Sequence, residues 1–351
     1  MKYTEEHWTG LKRSKTFDFL LESAILICNS QQQQNSPMGD QHWDHNDGSW
    51  EGIYGKARNL YCDPRAIRDQ ELIKFYNNYN RNILESSNDI NLQKKLNTNI
   101  KAWLKDYYKL NTFDCLPQVS TQNTIIDFCL QNKNRNIIMH QEEYWQTQWF
   151  DSMNIKTIKT KKIVDAIDED SALILDLPLR GTMELPTWID EVFDLCDKLQ
   201  VPVLLDTAYL LLQDNPLVDF DRKCITHICC ALSKTFSFNG MSLGFKFKKT
   251  NLVSKYDLYY AQNRPNVQII LDLIENFSCR YIFDKYAPLR SKWCKILNLQ
   301  ATSSVKHAHI PNDLQWFNAS KFWYDNGLSQ NLIDLTVLYE NDAMLTNYWS
   351  L

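Results

Sequence analysis

Between Phe113 and Phe247 the sequence alternates short β-prone runs with helical segments, and this rhythm constrains the fold more than any other feature. The runs are Asn136 to Met139, Lys156 to Ile158, Ala172 to Asp176, Val201 to Asp206, Thr226 to Cys230 and Leu243 to Phe247. Strands separated by helices are joined most readily in parallel, through right-handed crossovers. One intervening helix is plain. Leu185-Pro186-Thr187 opens it, and Trp188, Ile189, Val192, Phe193, Cys196 and Leu199 form one apolar face. Upstream, Leu92, Leu96, Ile100, Leu104 and Tyr107 or Tyr108 recur every three or four residues and predict an amphipathic helix within 83–110.

A chain of 351 residues exceeds one small core and suits a large domain with a smaller partner. Its 44% hydrophobic and 13% aromatic content is that of a packed protein. A formal net charge of -4 with no dense basic run argues against nucleic acid as a partner. Apolar stretches such as Phe19 to Cys28 are too short to cross a bilayer, and Met1 to Gly10 has no secretory character. The expected location is the cytoplasm, with no membrane partner. Of the ten cysteines, Cys129, Cys196, Cys224, Cys229 and Cys230 fall in apolar regular segments and are expected as buried free thiols. Residues 29 to 50 are polar and include Gln31 to Gln34, which predicts a loop. Within it, His42-Trp-Asp-His45-Asn-Asp47 has metal-ligand residue types but no nearby cysteine, and no metal site is expected. From Asn266 the pattern is helical again through Val267, Ile269, Ile270, Leu273, Ile274 and Phe277. A second lobe is expected there.

The chemistry concentrates at two strand ends. Val201 to Asp206 is a buried strand that ends in an acid, followed three residues later by the phenol of Tyr209. Thr226 to Ala231 runs into Leu232-Ser233-Lys234-Thr235-Phe236, which brings an amine to the same edge. Ligands of open α/β sheets bind beyond the carboxyl ends of the strands. Acid, phenol and amine suit a pyridoxal cofactor. The carboxylate would keep the pyridine nitrogen protonated as an electron sink, the phenol would bind the ring oxygen, and the amine would form the imine and shuttle a proton.

Leu204-Leu-Asp206-Thr-Ala-Tyr209 and Ala231-Leu-Ser-Lys234-Thr-Phe-Ser-Phe-Asn-Gly240-Met-Ser-Leu-Gly244-Phe, with Lys234 28 positions after Asp206, resemble the fold-type I pyridoxal 5'-phosphate (PLP) enzymes, specifically the class I/II aminotransferases. The resemblance implies an α/β fold of three αβα layers. It implies a large domain with a mostly parallel seven-stranded sheet, and a small α+β domain from both termini. The expected boundaries are 1–55, 56–262 and 263–351. It also implies a PLP-dependent aminotransferase moving an amino group from an amino acid-like donor to a keto acceptor, with Lys234 as the Schiff-base lysine. Ser120, Thr121 and Gln122 open a helix where the family binds phosphate, with Ser233 and Ser242 near the same group. Tyr144 lies where an aromatic ring stacks on the pyridine. Tyr61, in Leu60-Tyr61-Cys-Asp-Pro64, lies where a tyrosine is lent to the neighbouring subunit, implying a homodimer with shared sites.

The departures are as specific as the matches. Ser242 replaces the phosphate-binding arginine and Ala231 a phosphate-binding serine, leaving Lys246 or Arg264 as substitute bases. Asp176-Leu-Pro178-Leu-Arg180-Gly181-Thr182 replaces the Asn-Pro-Thr-Gly loop, and Arg180 becomes a candidate for an anionic substrate group. The stretch Asn331 to Leu338, expected as a strand, lacks the carboxylate-binding arginine, for which Arg264 is the preferred substitute. These gaps leave open a PLP-dependent lyase, decarboxylase or racemase, and a degenerate non-catalytic member.

Overall fold

The computed structural model describes residues 14–33, 66–78, 92–105, 108–117, 120–141, 150, 152–214, 218–236, 243–253, 257, 264–311 and 332–350. The chain divides into two compact units. One comprises 65–285 with 303–305; the other comprises 1–64, 286–302 and 306–351.

Seven strands form the sheet of the first unit: β1 (Phe113–Pro117), β2 (Asn136–His140), β3 (Thr157–Thr160), β4 (Ser171–Asp176), β5 (Val203–Asp206), β6 (Ile225–Ala231) and β7 (Gly244–Lys249). Their order is β1-β7-β6-β5-β4-β2-β3. The pairs from β3 through β6 are parallel, and β7 is antiparallel to both β6 and β1. The predicted runs are all strands within two residues, and the sheet is the expected mostly parallel one. β4 and β5 are buried at every position, as strands covered on both faces must be.

The described helices, in chain order, are α1 (Lys15–Gln33), α2 (Gln70–Asn77), α3 (Leu92–Leu104), α4 (Thr121–Gln131), α5 (Ile163–Ala166), α6 (Ile189–Leu199), α7 (Leu232–Thr235), α8 (Arg264–Asn276), α9 (Tyr281–Leu297), α10 (Thr336–Glu340) and α11 (Asp342–Trp349). α3 buries Leu92, Leu96, Ile100 and Leu104, the periodic set read from the sequence. α6 buries Ile189, Val192, Phe193 and Cys196 and closes on Gln200 in the left-handed conformation.

α4 covers one sheet face. Its Ile125, Phe128 and Cys129 pack with Ile174, Leu204 and Cys229. On the opposite face Leu104, Tyr108, Leu110 and Phe220 meet Ile228, Cys230, Phe245 and Phe247. Burying apolar side chains on both sides at roughly 25 cal/mol per Å² is what holds such a three-layer stack together.

The second unit is α+β and draws on both ends of the chain. β8 (Gln300–Ala301), β9 (His307–His309) and β10 (Leu332–Asp334) form a small antiparallel sheet. Phe17, Leu20, Leu21, Ala24 and Ile27 give α1 its buried stripe, and Phe19 stacks near Trp349 with ring centroids 4.7 Å apart. Lys306 and Asp334 form a buried ion pair at 2.7 Å.

Two local expectations change. Asn29 to Gln33 continue α1, because glutamine is a good helix former and the apolar stripe ahead of it supplies the anchor. The stretch expected as a strand from Asn331 to Leu338 is a strand only at Leu332–Asp334. There the Asp334 carboxylate accepts the Thr336 N–H at 2.9 Å and turns the chain into α10. Cys129, Cys196, Cys224, Cys229 and Cys230 are free and buried as expected, and so are Cys115, Cys279 and Cys294. The His42 to Asp47 string lies outside the described residues.

Candidate active site

Asp206 is the last residue of β5. It sits in register between Asp176, the last residue of β4, and Cys229 of β6. Cys229 is opposite Lys246 of β7, which is opposite Leu116 of β1. One rung therefore runs across the sheet near its carboxyl edge. Beyond it β6 continues to Ala231 and then tightens into the single turn α7, which carries Ser233 and Lys234, both half-buried. Lys234 thus leaves the strand next to the one that ends in Asp206, at the same edge.

The turn is firmly seated. Leu232 N–H donates to the Leu243 carbonyl at 2.8 Å, and Phe236 N–H closes on Leu232 at 2.7 Å. The fully buried Phe236 ring lies against Trp103, centroids 5.6 Å apart, and the Tyr76 hydroxyl donates to the Phe236 carbonyl at 2.8 Å. The hydroxyl of Thr235 is buried with no hydrogen-bond partner among the described residues.

α4 begins at this edge because β1, reversed twice through β7, runs in the same direction as β6. Ser120 caps the helix by accepting the Asn123 N–H at 3.2 Å. Thr121 and Gln122 fill its first turn, where N–H groups lack intrahelical acceptors and the helix dipole favours an anion. Tyr209 is half-buried three residues past Asp206, at the start of a short 3-10 turn, Leu210–Leu212. Arg264 is the first residue of α8. Tyr61, Tyr144 and Ser242 lie outside the described residues.

Asp206 is not a bare carboxylate. One oxygen accepts the Ala208 N–H at 3.0 Å and the other accepts from the Arg180 guanidinium at 2.8 Å. Arg180 also pairs through Nε with Asp176. All three side chains are nearly shielded from solvent: 14% exposed for Arg180, 5% for Asp176 and 1% for Asp206. Burial pushes the Asp206 carboxyl up, while Arg180 first and then the Ala208 N–H pull it back. A loop from Leu179 to Glu184 presents the arginine. It closes with Leu179 N–H on the Glu184 carbonyl at 3.1 Å and turns through Met183 at φ 54°.

Asp176 is the member that sequence reasoning did not single out. Its signal was present, since β4 and β5 each end in aspartate after an apolar run. Arg180, read as a candidate for an anionic substrate, is held in this structure by the protein's own acids. Lys246, a candidate base for phosphate, is paired with Asp127 at 3.6 Å and Asp257 at 3.4 Å, and Lys248 joins Asp257 at 3.1 Å. That cluster sits on β7 below the edge.

The comparisons with solved structures follow this geometry. The histidinol-phosphate aminotransferase from Clostridium acetobutylicum superposes with a TM-score of 0.58 at 15% identity, over 83% of this chain and 99% of that one. An aminotransferase from Helicobacter pylori gives 0.56 at 13% identity, over 84% and 97%. This is the fold of the class I/II PLP-dependent aminotransferases. The fold-type I architecture extends to a PLP-bound C-S lyase from Staphylococcus hominis, at a TM-score of 0.53 and 10% identity over 72% and 78%. No protein-family model matches the sequence, and no curated protein matches it by sequence similarity. Among the described residues no helix is long and apolar enough to cross a membrane, and no group of three or more His, Cys, Asp or Glu is placed to hold a metal.

Proposed function

We propose that the chain is a PLP-dependent aminotransferase that moves an amino group between an amino acid-like donor and a keto acceptor. The observation that carries this reading is the shared edge of Asp206 and Lys234, one ending β5 and the other in the turn that follows the neighbouring parallel strand β6. The donor set suits PLP. A primary amine for its aldehyde lies at this edge, an eleven-residue helix opens at the same edge toward a phosphate dianion, and next to the lysine stands a buried hydroxyl with no hydrogen-bond partner among the described residues. The acid end suits it less simply, because Asp206 already has partners.

Bound PLP supplies an electron sink for carbanion chemistry at a substrate's α-carbon. The residues supply the rest. Lys234 would hold the cofactor through Nζ and would accept and return a proton at that atom. The N–H groups at Ser120, Thr121 and Gln122 would hold the phosphate, helped by Ser233 and Ser242. Tyr209 would donate to the ring oxygen, Tyr144 would be the aromatic partner of the ring, and Arg264 would take the substrate's carboxylate. Tyr61 of a second copy would complete the phosphate site, so the working form would be a homodimer, expected in the cytoplasm. The C-S lyase with the same fold supports a second reading, in which the same anchor serves bond cleavage at carbon instead of transfer.

The test is direct. Purified chain is loaded with PLP, treated with borohydride and digested; the reading expects a reduced pyridoxyl group on Lys234 and none in Lys234→Ala. In a separate, unreduced sample an amino donor should bleach the visible band and release a keto acid in equal amount. Release of sulfide or ammonia without conversion of the cofactor would favour the lyase. No adduct, or an adduct on another lysine, would overturn the assignment.

A further inference from the structure

The acid expected to meet the cofactor is engaged by an arginine that the resemblance does not provide for. We propose that Arg180 remains the counter-ion of Asp206 when PLP is bound, so that this acid is not free to pair with a protonated ring nitrogen and Arg180 sets the strength of the electron sink. The inference rests on the proposed PLP chemistry and narrows it.

Three observations carry it. First, both oxygens of Asp206 are used, one by Arg180 at 2.8 Å and one by the Ala208 N–H at 3.0 Å, in a side chain only 1% exposed. Second, Arg180 is held from two sides, since its Nε faces Asp176 and that acid is itself buried. Pulling the guanidinium from Asp206 strands charge in a dry place, where an unpaired ion is strongly disfavoured. Third, the loop from Leu179 to Glu184 fixes the arginine's backbone on both sides, and Glu184 in turn accepts the Ser303 N–H at 2.8 Å.

The competition is unequal. A guanidinium keeps its proton throughout the working pH range and presents five donors in a rigid fork. A pyridine nitrogen is a far weaker base with one site. Displacing the first by the second trades one charge-assisted contact for another and leaves the guanidinium beside Asp176 with one buried acid fewer to pair with. The sink is therefore weaker than in a site with a free acid, and the chain is suited to proton movements that need little charge on the ring.

The test compares PLP with its 1-deaza analogue, in which CH replaces the ring nitrogen, by equilibrium dialysis against the full chain. Wild type is expected to bind the two within about threefold, and Asp206→Asn should leave that ratio unchanged. The double variant Asp176→Asn with Arg180→Gln removes one charge of each sign and frees Asp206. It should favour PLP by about tenfold or more. Wild type favouring PLP tenfold, with the preference lost in Asp206→Asn, would overturn the proposal, because the acid would then reach the ring. If the double variant does not fold, that wild-type comparison still decides. Failure of wild type to bind either compound would instead remove the PLP reading itself.

Discussion

Replacing Arg180 with methionine isolates what the guanidinium does for the fold, apart from any ligand. Asp176 and Asp206 are register neighbours on parallel strands, roughly 4.8 Å apart at the backbone, and both side chains are buried. With the arginine gone, two ionised carboxylates at about 5 Å repel by about 3 kcal/mol at an effective dielectric constant of about 20. Breaking a buried ion pair from one side costs about 3–5 kcal/mol in all, so this repulsion is most of the expected loss. It is also the part that protonation removes.

In the variant the pair retains a proton that the unfolded chain has released above about pH 4. The folded state then binds more protons, and stability falls as pH rises. Denaturation midpoints of wild type and Arg180→Met, measured at pH 5 and pH 8, should therefore diverge at the higher pH. Adding Asp176→Asn should recover about 3 kcal/mol at pH 8, because only one carboxylate remains. A deficit equal at both pH values, or a double variant less stable than the single one, would refute the reasoning.

Other consequences are checkable by ordinary means. His227 is buried, with burial first and then the charges of Lys248 and Lys246 lowering its pKa to about 3, and burial beside Lys306 lowers that of His307. Both stay neutral when folded and charge when unfolded, so stability should drop as pH falls below about 6.5, by up to about 1.4 kcal/mol per pH unit for each. His227→Gln should flatten that slope in a urea series from pH 7 to pH 5. Phe128→Ala, which empties the packing between α4 and the sheet beside His227, should cost about 3–5 kcal/mol by denaturant titration. At least eight of the ten thiols are buried, so native chain should give no more than two fast-reacting sulfhydryls with an aromatic disulfide reagent. Denaturation should expose the full ten.

The sheet was legible because its information is local. Each parallel strand is an apolar run with a sharp end, and Asp206 and Asp176 mark two of those ends in the sequence itself. The face of α6 was readable for the same reason, since helical periodicity needs no knowledge of the neighbour. Strand direction is another matter. β7 carries Lys246 and Lys248 among phenylalanines and reads like any strand, but its reversal depends on pairing with β1, whose Phe-Asp-Cys-Leu-Pro sequence gives only a weak signal. Arg180 shows the same limit within the site. An arginine in a polar loop looks available to an outside anion, and its partners emerge only when two strand ends meet.

The reversal at β7 also determines where length changes would be felt. Ala231 and Gly244 face each other across an antiparallel pair, so the chain leaves the sheet after the first and rejoins it at the second, at one place. Lys234 rides on the outgoing limb of that excursion. Insertions or deletions in it would leave every rung of the ladder intact and still shift the amine, so reactivity at this lysine could drift between related chains whose sheets superpose.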